Sequence, residues 1–460
     1  MKNSIKQLIK TILSFLSLTA ISCEKWIETD FPTNQLPTEL VFENEQTADA
    51  TLAGLYANLW NNSLISGGQD GMGLLMGLYT DDIATVIPAG SNGIVDLYYN
   101  QQIPTNLMVL TVWTNAYQHI YAANSILEGV GNSKSLSQVV KDRITGEALF
   151  IRSLLYLYLH QIYGDIPFAD TTDYKVNSKL SKLSGNDILN RLEKDLSEAV
   201  GLLPSAYRST ERIYSNKSAG YILLAKVKML LGKWTQAEVL LGAVMQSSDY
   251  SFQHDITKVF QKNGSHIIWQ LKPKNEGDAT KEASLYNFSG IPTTYMLSTD
   301  LVNSFADSDL RKQAYLSKET AQGQVNYKSV KYKNLQGSNT TEYSVIYRLE
   351  EVYLMYAETL IHQNRVVEAI PYLNKTRVRA GLDPLAQTIN QPIAMNELME
   401  EKRREFFIEH GIRFFDLKRW GMLGELMTVK PNWKAHYERW PLPQQEMLLN
   451  SNLNPQNQGY

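Results

Sequence analysis

Apolar residues recur every three or four positions along much of the chain, which is the period of a helix with one buried face. Within residues 45–60 the apolar face consists of Ala48, Leu52, Leu55, Tyr56 and Leu59. The same spacing predicts further helices over residues 107–127, 139–163, 187–203, 217–231 and 235–245. The fold is therefore predicted to be mainly α-helical.

Two of the helical segments repeat each other at an offset of 132 residues, LLAKVKMLLGKWTQAEVLL from Leu223 and MYAETLIHQNRVVEAIPYL from Met355. The matched positions are Ala225 and Ala357, Gly232 and Asn364, and Ala237 and Ala369. Small alanines let two helices approach, and Gly or Asn supplies the left-handed residue that ends the first helix. This is the tetratricopeptide (TPR) pattern, in which helix pairs bury their apolar faces by stacking. Two unrelated amphipathic hairpins are the alternative.

The chain changes character between the two copies. Ser265–Leu271 and Val325–Tyr332 are rich in β-branched and aromatic residues, which predicts short strands. Residues 272–345 hold many Gly, Ser, Asn, Thr and Lys, and they look like a loop-rich insertion on the helical scaffold. Residues 61–106 are also irregular, and their GMGLLMG run (Gly71–Gly77) lacks the spacing of a dinucleotide-binding turn, so we expect a loop there.

The N-terminus has the features of an export signal. Three lysines precede the apolar run Thr11–Ser22, which is too short to span a bilayer. The only cysteine, Cys23, follows directly, although Ala20 stands where a lipobox usually has Leu. We predict a signal peptide over residues 1–22, lipidation of Cys23, and an extended tether over residues 23–40. A chance cysteine within a signal peptide is the alternative.

Charge and composition narrow the function classes. The formal net charge is −3, and without the three lysines of the signal it is near −6, which argues against a nucleic-acid partner. The 26 tyrosines and eight tryptophans could stack on sugars, but aromatic side chains more often serve packing.

No constellation typical of catalysis is present in the sequence. The seven histidines show no metal-ligand spacing such as HExxH, and neither a GxSxG elbow nor a phosphate-binding GxxxxGK[ST] loop occurs. Asp81 and Asp82 are adjacent and point different ways, so solvated or capping roles are favoured over glycoside hydrolysis. We expect no catalytic residue, no metal site and no cofactor.

The segment from Glu400 to Trp420 combines many charges with aromatic residues. Glu401 and Glu405 alternate with basic residues at helical spacing, so ion pairs on a solvated face are expected. The aromatic residues expected to pack inward are Phe406, Phe407, Phe414 and Phe415.

Several long segments resemble the SusD/RagB family of nutrient-uptake lipoproteins. They include ITGEALFIRSLLYLYLHQIYGDIPF from Ile144, EKRREFFIEHGIRFFDLKRWG from Glu401 and WPLPQQEMLLNSNLNPQNQGY from Trp440. The stretches Tyr347–Leu382 and Val112–Leu127 also fit. The similarity runs in order along essentially the whole mature chain.

The resemblance implies a fold and a division of the chain. It implies one SusD-like domain over residues 41–460, an α-helical scaffold of about four TPR helix pairs with a loop-rich insertion carrying short β-strands. The TPR-type helices would occupy about residues 43–262 and 346–382, the insertion about 263–345, and a C-terminal family segment 383–460.

The resemblance also implies a function. Such proteins are not enzymes. They sit on the outer-membrane surface of Bacteroidetes, cover a SusC-type TonB-dependent transporter, and hand it oligosaccharides or, in the RagB branch, peptides. We therefore expect a lipid-anchored glycan-binding protein, with a peptide-binding protein as the second hypothesis. A glycoside hydrolase on a helical scaffold is the third hypothesis, and a TPR scaffold for protein partners is the fourth.

In glycan-binding relatives the ligand site lies in loops between the first two helical stretches and in the insertion. These regions of this chain offer Tyr79, Asp82, Tyr98, Tyr99, Asn100, Tyr286, Asn287, Phe288 and Tyr295 as candidate ligand residues. Trp113, Tyr117 and Tyr121 lie at helical spacing and are expected in the core.

Overall fold

The structure is a computed structural model, and it describes residues 41–90 and 92–460. The predicted signal peptide (residues 1–22) and the predicted tether (residues 23–40), which includes Cys23, lie outside the described residues. The helices are α1 (Glu45–Asn62), α2 (Met72–Tyr79), α3 (Ile94–Tyr98), α4 (Leu107–Asn132), α5 (Gln138–Tyr163), α6 (Tyr174–Asn177), α7 (Gly185–Leu202), α8 (Lys217–Leu230), α9 (Trp234–Met245), α10 (Lys281–Tyr286), α11 (Thr299–Asn303), α12 (Arg311–Ala314), α13 (Leu349–His362), α14 (Val366–Arg379), α15 (Gln391–Phe406), α16 (Ile412–Arg419) and α17 (Gln444–Leu449). The strands are β1 (Ile83–Thr85), β2 (Ile267–Leu271), β3 (Tyr295–Leu297), β4 (Leu316–Ala321), β5 (Gln324–Ser329) and β6 (Ser344–Arg348).

The helices predicted from apolar spacing are confirmed. The face of α1 is buried at the five predicted positions, and α4 starts at the predicted residue but continues to Asn132. The side chains of Asn106, Ser137 and Ser184 accept hydrogen bonds from backbone N–H groups in the first turns of α4, α5 and α7. These N-caps satisfy donors that have no partner within the helix, which explains why the helices begin there.

The repeat is confirmed as two helix pairs of matching geometry. Helices α8 and α13 begin at Lys217 and Leu349, which are 132 residues apart. Gly232 has φ of 68° and Asn364 has φ of 62°, so both take the left-handed conformation that ends the first helix of each pair. The four repeated alanines are fully buried. Helix α9 packs on α13, so the two pairs stack on each other as TPR units do.

Three antiparallel strand pairs accompany the helices. β2 pairs with β6, β4 pairs with β5, and β1 pairs with β3. The β2 and β5 segments confirm the two strands predicted from sequence. The β1–β3 pair joins the irregular region after α1 to the insertion, with Thr85 opposite Tyr295. Within the described residues, no helix is both long and apolar enough to cross a membrane.

Two expectations about local structure are wrong. The GMGLLMG run forms helix α2 rather than a loop, because its Met and Leu side chains find buried positions on every side. The charged face of α15 is not solvated, since Glu401 and Glu405 are fully buried. The four phenylalanines of this segment are buried as expected.

Arginines from distant elements explain the burial of the α15 carboxylates. Glu405 receives hydrogen bonds from Arg348 and Arg379, both at 2.5 Å, and from Arg311 at 3.3 Å. Burial would raise the pKa of Glu405, but the three guanidinium groups hold that pKa well below its usual value. The ion pairs therefore fasten α15 to α12, β6 and α14 inside the protein.

Candidate functional site

The fold brings together the two segments in which the candidate ligand residues were predicted. β1 and β3 run antiparallel, and the backbone N–H of Ser298 donates to the carbonyl oxygen of Asp82 at 2.9 Å. The hydroxyl of Thr85 donates to the carbonyl oxygen of Thr294 at 2.8 Å. Loops that are about 200 residues apart in the chain therefore share one part of the surface.

Five of the nine candidates are buried in this structure. The Tyr79 hydroxyl donates to the carbonyl oxygen of Tyr437 at 2.9 Å and accepts from the side-chain amide of Gln102 at 2.7 Å. Asn100 donates to the carbonyl oxygen of Tyr79 at 3.2 Å. These hydrogen bonds give Tyr79 and Asn100 structural contacts inside the fold. The five buried side chains are Tyr79, Asp82, Asn100, Tyr286 and Tyr295.

The adjacent carboxylates Asp81 and Asp82 are buried, which contradicts the expected solvated or capping role. Asp81 forms ion pairs with Arg403 and Arg413, both at 3.0 Å. Burial and the neighbouring Asp81 charge raise the pKa of Asp82 to about 6, against the opposing effect of the arginines. Because both carboxylates are enclosed by arginines from α15 and α16, their evident role is to hold β1 against those helices.

The other four candidates are partly exposed: Tyr98, Tyr99, Asn287 and Phe288. The first two follow β1 in the chain and the last two precede β3, and we call these four residues the loop surface. The rings of Tyr98 and Tyr99 meet edge to face, with centroids 5.0 Å apart. Phe288 has the Lys328 ammonium 5.9 Å from its ring centroid, and that ammonium also donates to the Phe288 carbonyl oxygen at 2.5 Å. The prediction that these four residues contact a ligand stays a prediction.

A buried lysine lies beneath the loop surface. The Lys430 ammonium is 3.9 Å from the centroid of the Tyr98 ring and donates to the carbonyl oxygens of Leu78 at 2.7 Å and Tyr98 at 3.0 Å. Burial lowers the pKa of Lys430 to about 7. The Tyr98 ring is therefore held in place by a cation whose charge changes near neutral pH.

A concave surface lies on the helical scaffold, and we call it the aromatic cleft. Its volume is about 660 Å³, within the range typical of small-ligand sites. Helix α4 forms one wall, residues 167–180 form the opposite wall, and residues 446–453 close one side. The aromatic residues that line it are Trp113, Tyr117, Tyr121 and Tyr174.

The cleft corrects the expectation that the α4 aromatics are core residues. Trp113 is buried as expected, but Tyr117 is half-buried and Tyr121 is 54% exposed. Tyr174 on the opposite wall is 74% exposed. Helical spacing correctly placed the three α4 rings on one side of the helix. It carried no information on the wall that faces them, because that wall comes from residues about 50 positions later.

Hydrogen bonds fix the position of both walls. The Tyr117 hydroxyl donates to the carbonyl oxygen of Pro167 at 2.7 Å, and Asn124 donates to that of Ala169 at 2.9 Å. One Glu128 carboxylate oxygen accepts from the backbone N–H of Thr172 at 2.8 Å. Asn450 reaches the carbonyl oxygen of Leu180 at 2.9 Å. The shape of the cleft is thus set by hydrogen bonds among the residues that line it.

Both surfaces offer rings, amides and hydroxyls, which are binding groups. Across residues 41–90 and 92–460, no group of three His, Cys, Asp or Glu side chains is arranged so that it could hold a metal ion. The rings can stack on a ligand, and the amides and hydroxyls can form hydrogen bonds with it.

Comparison with protein families gives two matches that together span most of the chain. A family described as starch-binding and associating with the outer membrane matches residues 33–229. The SusD family matches residues 242–438. Among characterised sequences, the chain is 25% identical to SusD-like protein P25 of Formosa agariphila, over 95% of both proteins.

Solved structures show the same fold. A SusD superfamily protein from Bacteroides vulgatus superposes with a TM-score of 0.81 at 21% identity, covering 91% of this chain and 100% of that one. A laminarin-binding SusD-like protein gives 0.77 at 22% identity, with the same coverage. Surface glycan-binding protein A from Bacteroides thetaiotaomicron, solved with laminarihexaose, gives 0.75 at 17% identity over 90% of this chain and 99% of that one.

Proposed function

Because this chain belongs to the SusD/RagB family, we propose that it captures oligosaccharides at the cell surface and passes them to a SusC-type TonB-dependent transporter. Two fold neighbours are glycan-binding proteins, one of them solved with a bound glucan oligosaccharide. Those names support glycan as the ligand class, and the outer-membrane description of the matched family supports the location.

The observation that carries the proposal is the loop surface assembled by the β1–β3 pair. It presents aromatic rings beside an amide, in the two segments where the ligand residues were predicted. Sugars have apolar CH faces that stack on rings and hydroxyls that bond to amides, so this combination suits a glycan. Capture of this kind requires no bond to be broken, and we propose that the protein is not an enzyme.

Lipidation of Cys23 would hold the protein at the membrane that contains its transporter. A tethered protein stays beside the transporter, so that the two proteins meet at a high local concentration. Several acyl chains on one cysteine would give stable anchoring, since each buried CH₂ contributes about 0.8 kcal/mol. Metabolic labelling with an alkyne fatty acid should mark the wild-type protein and leave Cys23→Ala unmarked.

The test of glycan binding is affinity electrophoresis of the protein from residue 24 onward against neutral and acidic polysaccharides, with a peptide mixture in a parallel calorimetric assay. We expect retardation by at least one neutral polysaccharide, and about tenfold weaker binding by Tyr98→Ala/Phe288→Ala, equal to ~1.4 kcal/mol. Val239→Ala, an exposed apolar change on α9, is the control and should bind like wild type.

Three outcomes would contradict parts of the proposal. Binding of peptides without glycans would favour the RagB-like alternative. Binding of neither would favour the TPR scaffold. Release of shortened products from a bound glycan by the pure protein would show that it is an enzyme.

A further inference from the structure

We propose that the aromatic cleft is a second glycan-binding site, separate from the loop surface, and that it takes an uncharged oligosaccharide. The inference rests on the proposed function for the ligand class but concerns a different place on the molecule. The cleft is built from α4, residues 167–180 and residues 446–453, whereas the loop surface is built around β1 and β3. The two sets of residues have no member in common.

The rings of the cleft are placed for stacking. Tyr117 and Tyr121 are four residues apart on α4, so their side chains are neighbours on one helix face. Tyr174 stands on the opposite wall. Exposed rings that share one cavity form an apolar surface on which a ligand can stack. A sugar ring presents apolar CH groups on its two faces, so it suits a cavity to which two segments contribute rings.

The cleft also contains a polar atom that lacks a partner. The side-chain amide of Asn177 donates to the carbonyl oxygen of Thr171 at 2.7 Å. Its oxygen Oδ1 is buried and accepts no hydrogen bond from any described residue. An unsatisfied buried acceptor costs about 1–3 kcal/mol. A sugar hydroxyl would remove that cost if the Asn177 side chain turned Oδ1 toward the cleft, which a purely apolar partner would not favour.

The charge of the cleft selects among sugars. Glu446 is the single charged side chain among its lining residues, and no Lys or Arg of the described chain lines it. Because the lining offers one carboxylate and no basic side chain, a second negative charge nearby would be unfavourable. Uronic acids and sulfated sugars carry such charges and would meet no cation. Neutral sugars avoid this repulsion and can use the side chains of Gln118 and Thr114 on α4.

Pre-organisation favours a small ligand over a flexible protein segment. The walls are already held by hydrogen bonds of Tyr117, Asn124 and Asn450, so little ordering of the protein is needed on binding. The cleft volume of about 660 Å³ fits a short oligosaccharide better than an extended protein segment.

The test compares variants of the two surfaces with the glycan panel used above. The cleft variant is Tyr121→Ala/Tyr174→Ala, and Tyr121→Phe/Tyr174→Phe is its matched control because it keeps both rings. We expect at least fivefold weaker binding of a neutral polysaccharide by the alanine variant, near-wild-type binding by the phenylalanine variant, and unchanged thermal stability in both. Calorimetry with a neutral hexasaccharide such as laminarihexaose should show two binding sites in the wild type and one binding site in the alanine variant.

Each alternative outcome has a defined meaning. Full affinity and unchanged stoichiometry in the cleft variant, with loss only in the loop variant, would overturn this inference and leave the proposed function intact. If the cleft variant binds an acidic polysaccharide less tightly than the wild type does, the assignment of the cleft to uncharged sugars is overturned. Absence of binding to every glycan would overturn the inference together with the proposed function.

Discussion

The aromatic cleft and the loop surface use aromatic residues in opposite ways. In the cleft, Tyr121 and Tyr174 are largely exposed and stand on walls that other residues hold in place. Around the loop surface, Tyr286 and Tyr295 are buried in a small hydrophobic cluster, whereas Tyr98, Tyr99 and Phe288 remain partly exposed. An abundance of aromatic residues in a loop is therefore a poor guide to a ligand site, because short loops need rings for their own core.

The reason lies in the supporting structure. Helix α4 has 26 residues and belongs to the main core, so a ring on its outer face adds little to stability. Strands β1 and β3 have three residues each and gain most of their stability from the side chains beneath them. Three predictions follow the difference between the surfaces, beginning with the largest effect.

Tyr286→Ala should destabilise the protein by about 3–5 kcal/mol, as expected when a buried aromatic side chain is removed from a core. Tyr174→Ala should change the free energy of unfolding by less than about 0.5 kcal/mol, because that ring is 74% exposed. Urea denaturation measures both. Equal effects of the two substitutions would abolish the distinction between the surfaces.

Lys430 should make the stability of the loop side depend on pH. Its pKa is lowered to about 7 in the folded protein, against 10.5 for the ordinary side chain. Between these values the unfolded chain holds a proton that the folded chain has released, so stability rises with pH above about 7. Lys430→Met should reduce this rise.

The measurement for Lys430 is the urea midpoint at pH 6, 7, 8 and 9. Lys331 and Lys418, whose pKa values burial lowers to about 8, contribute equally to the rise in wild type and variant. Tyr174→Ala is the control and should keep the wild-type slope. A slope unchanged by Lys430→Met would mean that this lysine titrates near its ordinary pKa.

Glu128, which holds the cleft wall, should make the stability of the protein fall at acid pH, by less than the effect of Lys430. Burial raises its pKa slightly, but hydrogen bonds from Thr172 and Thr171 outweigh this, and the net pKa is lowered. Its contribution is complete above the unfolded value of 4.5 and is lost as pH falls through the lower folded pKa. The carboxylate is partly exposed, so solvent screening limits the effect to under about 1 kcal/mol.

Glu128→Gln should therefore lose less stability than wild type between pH 5 and pH 3, as followed by urea denaturation. Glu198→Gln, an exposed change on α7, is the matched control and should behave like wild type. Binding of a neutral polysaccharide to the cleft should weaken about twofold in Glu128→Gln. If the acid profile of this variant matches that of wild type, the carboxylate does not hold the wall.

The helix pairs show what is predictable from sequence. Ala225, Gly232 and Ala237 act within about a dozen residues of each other, and their spacing alone identifies a helix, its end and the next helix. The same local logic failed for Glu401 and Glu405, whose pattern suits a solvated helix. Their burial depends on Arg311, Arg348 and Arg379, which lie on other elements. No spacing rule along α15 contains those partners.

The candidate site also has features that the sequence predicts and features that it does not. The sequence identified both loops of the loop surface, and the β1–β3 pair brings them together. It did not separate Tyr98 from Tyr79, since exposure depends on what packs above a ring. Nor did it indicate the cleft, whose opposite wall comes from a separate segment.

The sequence by itself determined the helical scaffold, the repeated helix pairs and the resemblance to the SusD/RagB family, because each depends on patterns within short stretches of chain. The tertiary structure alone decided which charges are buried, which tyrosines are exposed and where a cavity forms. The physical reason is that burial and concavity are properties of facing surfaces. Tyr121 became a candidate ligand residue only once Tyr174, 53 residues later in the chain, stood on the opposite wall.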